Sequence, residues 1–355
     1  MKPKVSIVSI SYNQEKFIKQ ALDSFLSQKT NFDIEIIIAD DASTDGTREI
    51  IAEYAKKHGE IFVPVLRKKN IGIQNNIIDA LSRARGDYIA ICEGDDFWTD
   101  DLKLQKQVDF LEKNKDYAVC FHPVRVFFED KTHDDSIFPE KRENFSLTRL
   151  LKSNFIQTNS VMYRRQDDYR QLLNNTFPFD WYMHLFHAQY GKVGYINEVM
   201  ASYRRHNRGA WWDSIAHENR IYIQHGIKHL VLYVKLKEMF GKNRKHDSIV
   251  NDHIADLYAI FNRIEKKTKN VNLFTQAEEE FPGTAKIAYS IISHHLESSQ
   301  NTVQEQVRII ERLEEEARHK DALLNDMTNR YNDVVSSRLW KMRNKIFSVI
   351  KKPKV

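Results

Sequence analysis

Short apolar runs alternate with amphipathic segments over the first hundred residues of the chain. Between these runs, apolar residues recur at the spacing of an amphipathic helix, as do Phe17, Ile18, Ala21, Leu22 and Phe25. The runs that the pattern predicts to be strands are Val5 to Ile10, Ile34 to Ala39, Phe62 to Leu66 and Tyr88 to Cys92. Near-continuous apolar strands that alternate with helices are typical of a parallel sheet covered by helices on both faces. The predicted class is therefore α/β, with a mostly parallel sheet.

Acidic residues follow two of these predicted strands. Asp40 and Asp41 end the second strand, and Glu93, Asp95 and Asp96 end the fourth. Ligands of open α/β sheets bind beyond the carboxyl ends of the strands, which share one edge. Carboxylates gathered there repel one another unless a cation joins them, and hard oxygen ligands suit Mg²⁺ or Mn²⁺. The pattern indicates a metal–diphosphate site, and the alternative is a solvated acidic turn that caps the next helix.

The usual backbone devices for binding phosphate are missing from the sequence. Neither Gly-x-Gly-x-x-Gly nor a Gly-x-x-x-x-Gly-Lys-Ser/Thr loop follows the first strand. Phosphates would therefore be neutralised by a metal and by side chains. Lys68 and Lys69, which follow the third strand together with Arg67, are candidates, and the alternative is a solvated charged loop.

Composition narrows the class of protein further. The 355 residues suggest about two domains, and a net charge of +5 gives no indication of a nucleic-acid binder. The two cysteines, Cys92 and Cys120, lie in apolar runs, which favours a reducing compartment. The chain starts without a signal-peptide pattern and has no run of about 18 apolar residues. The expectation is a cytoplasmic protein, either free or peripheral on the inner face of the cell membrane.

Five motifs in order resemble those of family 2 glycosyltransferases, over about residues 4–210. They are the opening Val5 to Asn13, Asp40-Asp-Ala-Ser-Thr-Asp45, Asn70-Ile-Gly72, Ala84-Arg-Gly-Asp-Tyr88 and Glu93-Gly-Asp-Asp96. The resemblance implies the GT-A nucleotide-diphospho-sugar transferase fold. It also implies a nucleoside diphosphate sugar as donor and a glycan or lipid-linked glycan as acceptor.

The same resemblance implies roles for the residues at the first two strand ends. Ser11 and Tyr12 would line the pocket for the nucleobase. Asp41, helped by Asp40, would accept the imide N–H of uracil or thymine. A UDP- or dTDP-sugar is therefore the expected donor.

Glu93-Gly-Asp95 occupies the place of the family's Asp-x-Asp motif. Asp95, with Asp96 beside it, would bind Mn²⁺ or Mg²⁺. Glu93 departs from the usual first Asp, and its longer side chain would contact a ribose hydroxyl.

Asp180 stands alone among aromatic residues, between Phe179 and Trp181, before a predicted helix. Burial there would raise its pKa toward that of a usable general base, and the alternative is a helix N-cap. The family places a catalytic Asp here, usually after a Glu, whose place Phe179 takes. A single base with in-line attack predicts inversion at the anomeric carbon.

The segment Tyr203-Arg-Arg-His206 is similar to a Tyr-Arg-x-His ending of the family. His206 would be a further metal ligand or a diphosphate contact. Arg204 and Arg205 would neutralise phosphate. The alternative for His206 is a surface histidine in a basic segment.

The last 140 or so residues carry helical patterns and no catalytic constellation. The predicted organisation is a GT-A glycosyltransferase domain over 1–214, a helical region over 215–300, a coiled-coil helix over 301–335 and a basic amphipathic helix over 336–355. The coiled coil would form a homo-oligomer, or a single helix would pack on its own domain. The basic helix would contact a membrane surface, bind a partner, or be a disordered tail.

The sequence thus predicts an inverting glycosyltransferase of the hexosyl or deoxyhexosyl type, in the assembly of surface polysaccharide or glycolipid. One alternative is a non-catalytic or weakly active assembly scaffold that acts through the coiled coil and the basic tail. Another is a sugar nucleotidyltransferase, which would normally need a Gly-rich basic loop where Ser11 to Glu15 stand.

Overall fold

A computed structural model describes residues 2–139, 145–207, 209, 218–268 and 271–297. The predicted coiled coil (301–335) and basic helix (336–355) lie outside the described residues. The chain divides into two compact units, Met1–Ile215 and Ala216–Val355, and each is described by itself.

The first unit combines two sheets with six α-helices among its described residues. Its strands are β1 Val5–Ser11, β2 Ile34–Asp40, β3 Phe62–Leu66, β4 Tyr88–Ile91, β5 Phe97–Trp98, β6 Tyr117–Phe121, β7 Val124–Phe128, β8 Ser136–Phe138, β9 Met162–Arg164, β10 Lys192–Tyr195 and β11 Ala201–Arg205. Its helices are α1 Ile18–Leu26, α2 Thr47–Lys57, α3 Ile73–Ser82, α4 Lys103–Lys113, α5 Leu147–Lys152 and α6 Phe179–Ala188.

The larger sheet has the strand order β10-β6-β9-β4-β1-β2-β3. β1 lies between β2 and β4 and pairs in parallel with both, so the ends of these three strands share one edge. Only β9 runs antiparallel to its neighbours in the described part of this sheet. The predicted α/β fold with a mostly parallel sheet is confirmed.

The smaller sheet has the order β5-β11-β7-β8 and was not predicted. Residues 117–128 form two strands, β6 in the larger sheet and β7 in the smaller one. The break falls at His122 and Pro123, where the proline ring removes a backbone N–H donor. As a result, β5, which directly follows the acidic turn (Glu93 to Asp96), pairs antiparallel with β11.

The core of this unit lies where the larger sheet meets its helices. α1 buries Ile18, Ala21, Leu22 and Phe25 completely, at the spacing that predicted the helix. The ring of Phe25 lies 4.9 Å from that of Trp98 in β5. Each fully buried side chain of this size contributes about 1.5–3 kcal/mol to stability, so the frame beneath the strand ends is rigid.

The second unit is helical in its described residues, with α7 Glu218–Phe240, α8 Arg244–Lys267, α9 Leu273–Glu280 and α10 Thr284–Glu297. Asn243 caps α8, because its Oδ1 accepts the N–H groups of Lys245 and His246. Glu278 joins the helices by accepting from the Tyr258 hydroxyl at 3.0 Å and the Ala285 N–H at 2.6 Å. No helix in the described ranges is long and apolar enough to cross a membrane.

Candidate functional site

The ends of β1 and β2 form the first part of the candidate site. Ser11 pairs with Asp40 across the two strands, and both are buried. Asp40 Oδ2 accepts the N–H of Ser43 at 3.1 Å, and its Oδ1 accepts the Ser43 hydroxyl. Asp40 therefore holds the turn after β2. Tyr12, which follows Ser11 in the chain, is 48% exposed.

Asp41 joins this edge to the Asn70-Ile-Gly72 loop. Its Oδ1 accepts the N–H of Ile71 at 2.8 Å, and its Oδ2 accepts the N–H of Gly72 at 2.9 Å. Gly72 has a φ of +85°, which a glycine adopts without strain. A carboxylate oxygen has two lone pairs, so each oxygen of Asp41 keeps capacity for a further donor.

The basic cluster after β3 is split by the fold. Arg67 is half-buried and donates to Asn76 at 2.6 Å and to Asp79 at 2.7 Å. Lys68 and Lys69 are exposed on the loop, next to the outermost strand of the larger sheet. The two lysines thus lie at one side of the site rather than at its centre.

The acidic turn after β4 is fixed at both of its ends. The Gly94 N–H donates to the carbonyl of Ile10 at 3.0 Å, and a Cβ at Gly94 would lie 2.5 Å from Oε1 of Gln14. A larger residue at position 94 would require the side chains of Gln14 and Ile18 to move. At the other end, Oδ1 of the buried Asp96 accepts the backbone N–H of Arg204 at 2.8 Å. Burial raises the pKa of Asp96 well above its usual range. This contact anchors the turn to β11, and the metal contact expected of Asp96 stays a prediction.

Arg204 is buried, and its guanidinium binds other groups of the protein. Its Nε donates to the carbonyl of Asp95 at 2.9 Å, and one terminal nitrogen donates to Gln20 at 2.5 Å. The other terminal nitrogen pairs with Glu129. The guanidinium also lies 4.7 Å from the ring centre of Phe17. Arg204 therefore holds the acidic turn, and the phosphate contacts expected of Arg204 and Arg205 stay predictions.

Asp95 and His206 form the pair that can hold a metal. Nε2 of His206 lies 3.1 Å from Oδ2 of Asp95. Two ligands held at a right angle, each about 2.1–2.2 Å from a cation, lie about 3 Å apart, so the pair fits one ion. No group of three His, Cys, Asp or Glu side chains in the described residues is arranged to hold a metal. Mg²⁺ often binds through one or two protein ligands plus substrate phosphates and water, which is the arrangement that this pair suits.

Glu93 connects the acidic turn with Asp180. Burial raises the pKa of Glu93 to about 8, and the negative charges of Asp95 and then Asp180 contribute. Charges that are separated by bulk water are largely screened, so this influence indicates that the acidic turn after β4 and the start of α6 lie near each other, although 86 residues lie between Glu93 and Asp180.

Asp180 lies in the first turn of α6. Burial raises its pKa, and the backbone N–H groups of Asp180 and Trp181 oppose that rise. Nδ2 of Asn154 donates to Oδ2 of Asp180 at 3.1 Å. Asp180 is thus a half-buried carboxylate with a raised pKa and one oxygen held by a neutral donor, which suits a general base.

A cleft of about 470 Å³ opens beside His206, within the size range of ligand pockets. The ring of Phe17 lies 4.7 Å from that of His206 at this cleft. The lining residues are Asn13, Glu15, Lys16, Phe17, Asp45, Glu129, Asp130, His206 and Asn207.

Sequence reasoning missed three side chains that organise the site, namely Gln20, Glu129 and Asn154. Each acts through one contact with a residue far along the chain, and spacing carries no signal for such a contact.

Comparison with known proteins agrees with this geometry. A family model described as glycosyl transferase family 2 matches residues 6–206. An uncharacterized protein of Mycobacterium tuberculosis is 47% identical over 249 residues, which are 70% of this chain and 72% of that protein. The putative teichuronic acid biosynthesis glycosyltransferase TuaG of Bacillus subtilis is 35% identical over 205 residues, which are 57% of this chain and 79% of TuaG.

Among solved structures, the chain is similar to residues 1–349 of TarS from S. aureus. The TM-score is 0.56 at 16% identity, and the match covers 96% of this chain and 92% of the TarS chain. At this identity the likeness is one of fold. It confirms the GT-A type of α/β fold followed by a helical region.

Proposed function

Because this chain belongs to glycosyl transferase family 2, we propose that it transfers a sugar, with inversion, from a UDP- or dTDP-sugar to an acceptor hydroxyl. One observation carries the proposal. The negative charges of both Asp95 and Asp180 raise the pKa of the Glu93 carboxylate, which supports a common site for the metal pair and the candidate base.

In this proposal Asp180 takes the proton of the acceptor hydroxyl. Its raised pKa brings it closer to the operating pH, where a base accepts a proton most effectively. The residue directly before Asp180 is Phe179, so no second carboxylate adjoins the base in the sequence. A single base, with attack from the face opposite the leaving group, inverts the anomeric centre.

The leaving diphosphate would lie against the edge formed by the acidic turn. Asp95 and His206 are the residues that would hold Mn²⁺ or Mg²⁺, which when bound neutralises charge on the diphosphate. Arg204, Arg205, Lys68 and Lys69 are the candidates for phosphate contacts.

Asp41 supports a donor with uracil or thymine as its base. A carboxylate only accepts hydrogen bonds, and both bases present an N–H at the imide. Ser11 is buried and the next residue, Tyr12, is exposed, and these two residues would complete the base pocket. Glu93, on the neighbouring strand end, would contact the ribose.

The similarity to TuaG supports a role in the assembly of a surface polysaccharide or glycolipid. A glycan or lipid-linked glycan would be the acceptor. Contact with the inner face of the membrane through 336–355 and homo-oligomer formation through 301–335 remain predictions, because these segments lie outside the described residues.

A thermal-shift screen with Mn²⁺ tests the proposal directly. UDP- and dTDP-sugars are expected to raise the melting temperature more than GDP-sugars, since a ligand that binds only the folded state stabilises it. Release of UDP from the donor that binds best is then expected with acceptor or slowly with water. A protein that binds none of these donors and releases no nucleotide would be a scaffold rather than a transferase.

A further inference from the structure

One short segment touches both halves of the proposed active site. At one end the amide of Asn154 binds Asp180. At the other end, the side-chain Nδ2 of Asn159 donates to the backbone carbonyl of Ser202 at 3.0 Å. The backbone carbonyl of Asn159 accepts the indole N–H of Trp98 at 2.9 Å. Ser202 and Trp98 belong to β11 and β5, which flank the acidic turn. The segment 154–160 therefore connects the candidate base with the frame of the metal pair.

The amide of Asn154 has only one orientation that satisfies its contacts. Its Oδ1 accepts the N–H of Ile156 at 3.1 Å, and an N–H cannot be paired with the NH₂ end. The NH₂ end must then face Asp180, where it donates to Oδ2. The donor is thus held by the backbone of its own turn.

Helix α5, which ends just before this segment, is also fixed to α6, through the residue after Asp180. The indole N–H of Trp181 donates to the carbonyl of Leu150 at 2.7 Å, and Leu150 is fully buried in α5. Two consecutive residues of α6 therefore bind α5 and the segment that follows it. The carboxylate of Asp180 is bound at one oxygen by a group that itself has little freedom.

We infer that Asn154 is the positioning residue for Asp180, whose Oδ2 it binds, and that it holds the carboxylate in the orientation in which it takes the acceptor proton. This inference rests on the proposed role of Asp180 as the base. Orientation of a catalytic group to within a fraction of an ångström accounts for a large part of enzymatic rate enhancement. The role fills a need that arises here because Phe179, rather than an acid, precedes Asp180.

The charged and titratable groups around Asp180 make a neutral donor useful. Glu93 approaches from the acidic turn and is affected by the charge of Asp180. Tyr163 approaches from β9, with its pKa raised by burial and, in smaller part, by Asp180. His184, one turn further along α6, is fully buried and has a lowered pKa. None of these three groups brings a positive charge at neutral pH, so the N–H of Asn154 supplies a neutral donor that stabilises the ionised carboxylate.

Asn154→Asp separates this role from a merely structural one. The new carboxylate still accepts the N–H of Ile156, but it removes the donor and places a like charge beside Asp180. If Asn154 only shapes its turn, Asn154→Ala is damaging and Asn154→Asp is not. If it positions the base, Asn154→Asp is at least as damaging. Asn174→Asp is the matched control, because Asn174 donates to Asn75 on an exposed surface.

The assay uses the full chain with Mn²⁺ and the UDP- or dTDP-sugar that gives the largest thermal shift. For Asn154→Asp and Asn154→Ala we expect kcat to fall roughly tenfold or more, with the donor Kd changed less than about twofold. The acid limb of the pH–rate profile should move up by about one pH unit in Asn154→Asp. Wild-type kcat and an unshifted profile in Asn154→Asp would overturn the inference.

Two further measurements keep the outcome interpretable. If Asn154→Asp does not unfold cooperatively, Asn154→Ser replaces it, since a serine hydroxyl can accept in the same turn. The titration of Asp180 is followed by ¹³C-carboxyl NMR, with its signal identified by its loss in Asp180→Asn. A higher midpoint in Asn154→Ala than in the wild type supports the inference, and an equal midpoint contradicts it. A wild-type protein that binds and turns over no donor would instead disprove the proposed function.

Discussion

Nε2 of His206 lies 3.1 Å from Oδ2 of Asp95, although 111 positions separate the two residues. The fold creates this contact in two steps. β5, just after the acidic turn, pairs with β11, just before His206. Arg204 then binds the carbonyl of Asp95 and gives its own N–H to Asp96. The pair is thus held by the protein itself, at a separation that suits a shared cation.

Asp180→Asn tests the proposed base. The amide has nearly the same shape but accepts no proton, so kcat is expected to fall by roughly 10²–10⁴-fold. Donor affinity should stay within about twofold, because the proposed base acts on the acceptor hydroxyl and not on the donor. Transfer or donor hydrolysis at saturating donor measures the first quantity, and calorimetry measures the second. Lost donor affinity with near-normal turnover would assign Asp180 to donor binding instead.

Arg204→Met tests the role of Arg204 in holding the residues around the metal pair. The change leaves Glu129, Gln20 and the carbonyl of Asp95 without their donor, and we expect a loss of about 3 kcal/mol in the free energy of unfolding. Denaturant unfolding measures it. Arg205→Met is the control at the neighbouring position, with an expected loss of about 1 kcal/mol or less. Equal losses in the two variants would contradict the assignment.

His184 and His187 predict a fall in stability in acid. Burial lowers the pKa of both to about 3, against 6.5 for an exposed histidine. Below pH 6.5 the unfolded chain therefore binds protons that the folded chain does not. The stabilising effect of the neutral folded rings is complete above pH 6.5 and is lost as the pH falls from 6.5 toward 3.

His187→Gln isolates one of these two groups. The amide can keep a bond to the Tyr169 hydroxyl, which contacts Nε2 of His187 at 3.1 Å. The slope of unfolding free energy against pH between 6 and 4 should decrease by up to about 1.4 kcal/mol per pH unit. An unchanged slope would show that His187 is protonated in the folded protein.

Asp41→Asn tests the proposed contact with the base. The NH₂ end of an asparagine would face an imide N–H of uracil but could donate to the ring acceptor of cytosine. We expect the ratio of UDP to CDP affinity, measured by calorimetry, to fall roughly tenfold. Stability should also decrease, because Ile71 and Gly72 can no longer both donate to oxygen. An unchanged ratio would place the base elsewhere.

The half of the larger sheet formed by β4, β1, β2 and β3 could be predicted because each of these strands is a continuous apolar run, whose pattern is local. The smaller sheet could not, since β5 has two residues and β8 has three, and such short strands exist only through their pairing. The acidic side chains at the strand ends were predictable for the same reason as the strands. The inward contacts of Asp96 and Arg204 were not, because their partners lie about a hundred positions away.

The affinity of UDP with and without Mn²⁺, measured by calorimetry on the wild type and on Asp95→Asn, tests the central claim most directly. Asp167→Asn, at a fully exposed side chain, is the control. The account predicts that Mn²⁺ strengthens UDP binding at least roughly tenfold in the wild type and in Asp167→Asn, and has no effect in Asp95→Asn. An equal effect of Mn²⁺ on all three proteins would show that the strand-end carboxylates do not form a metal–nucleotide site.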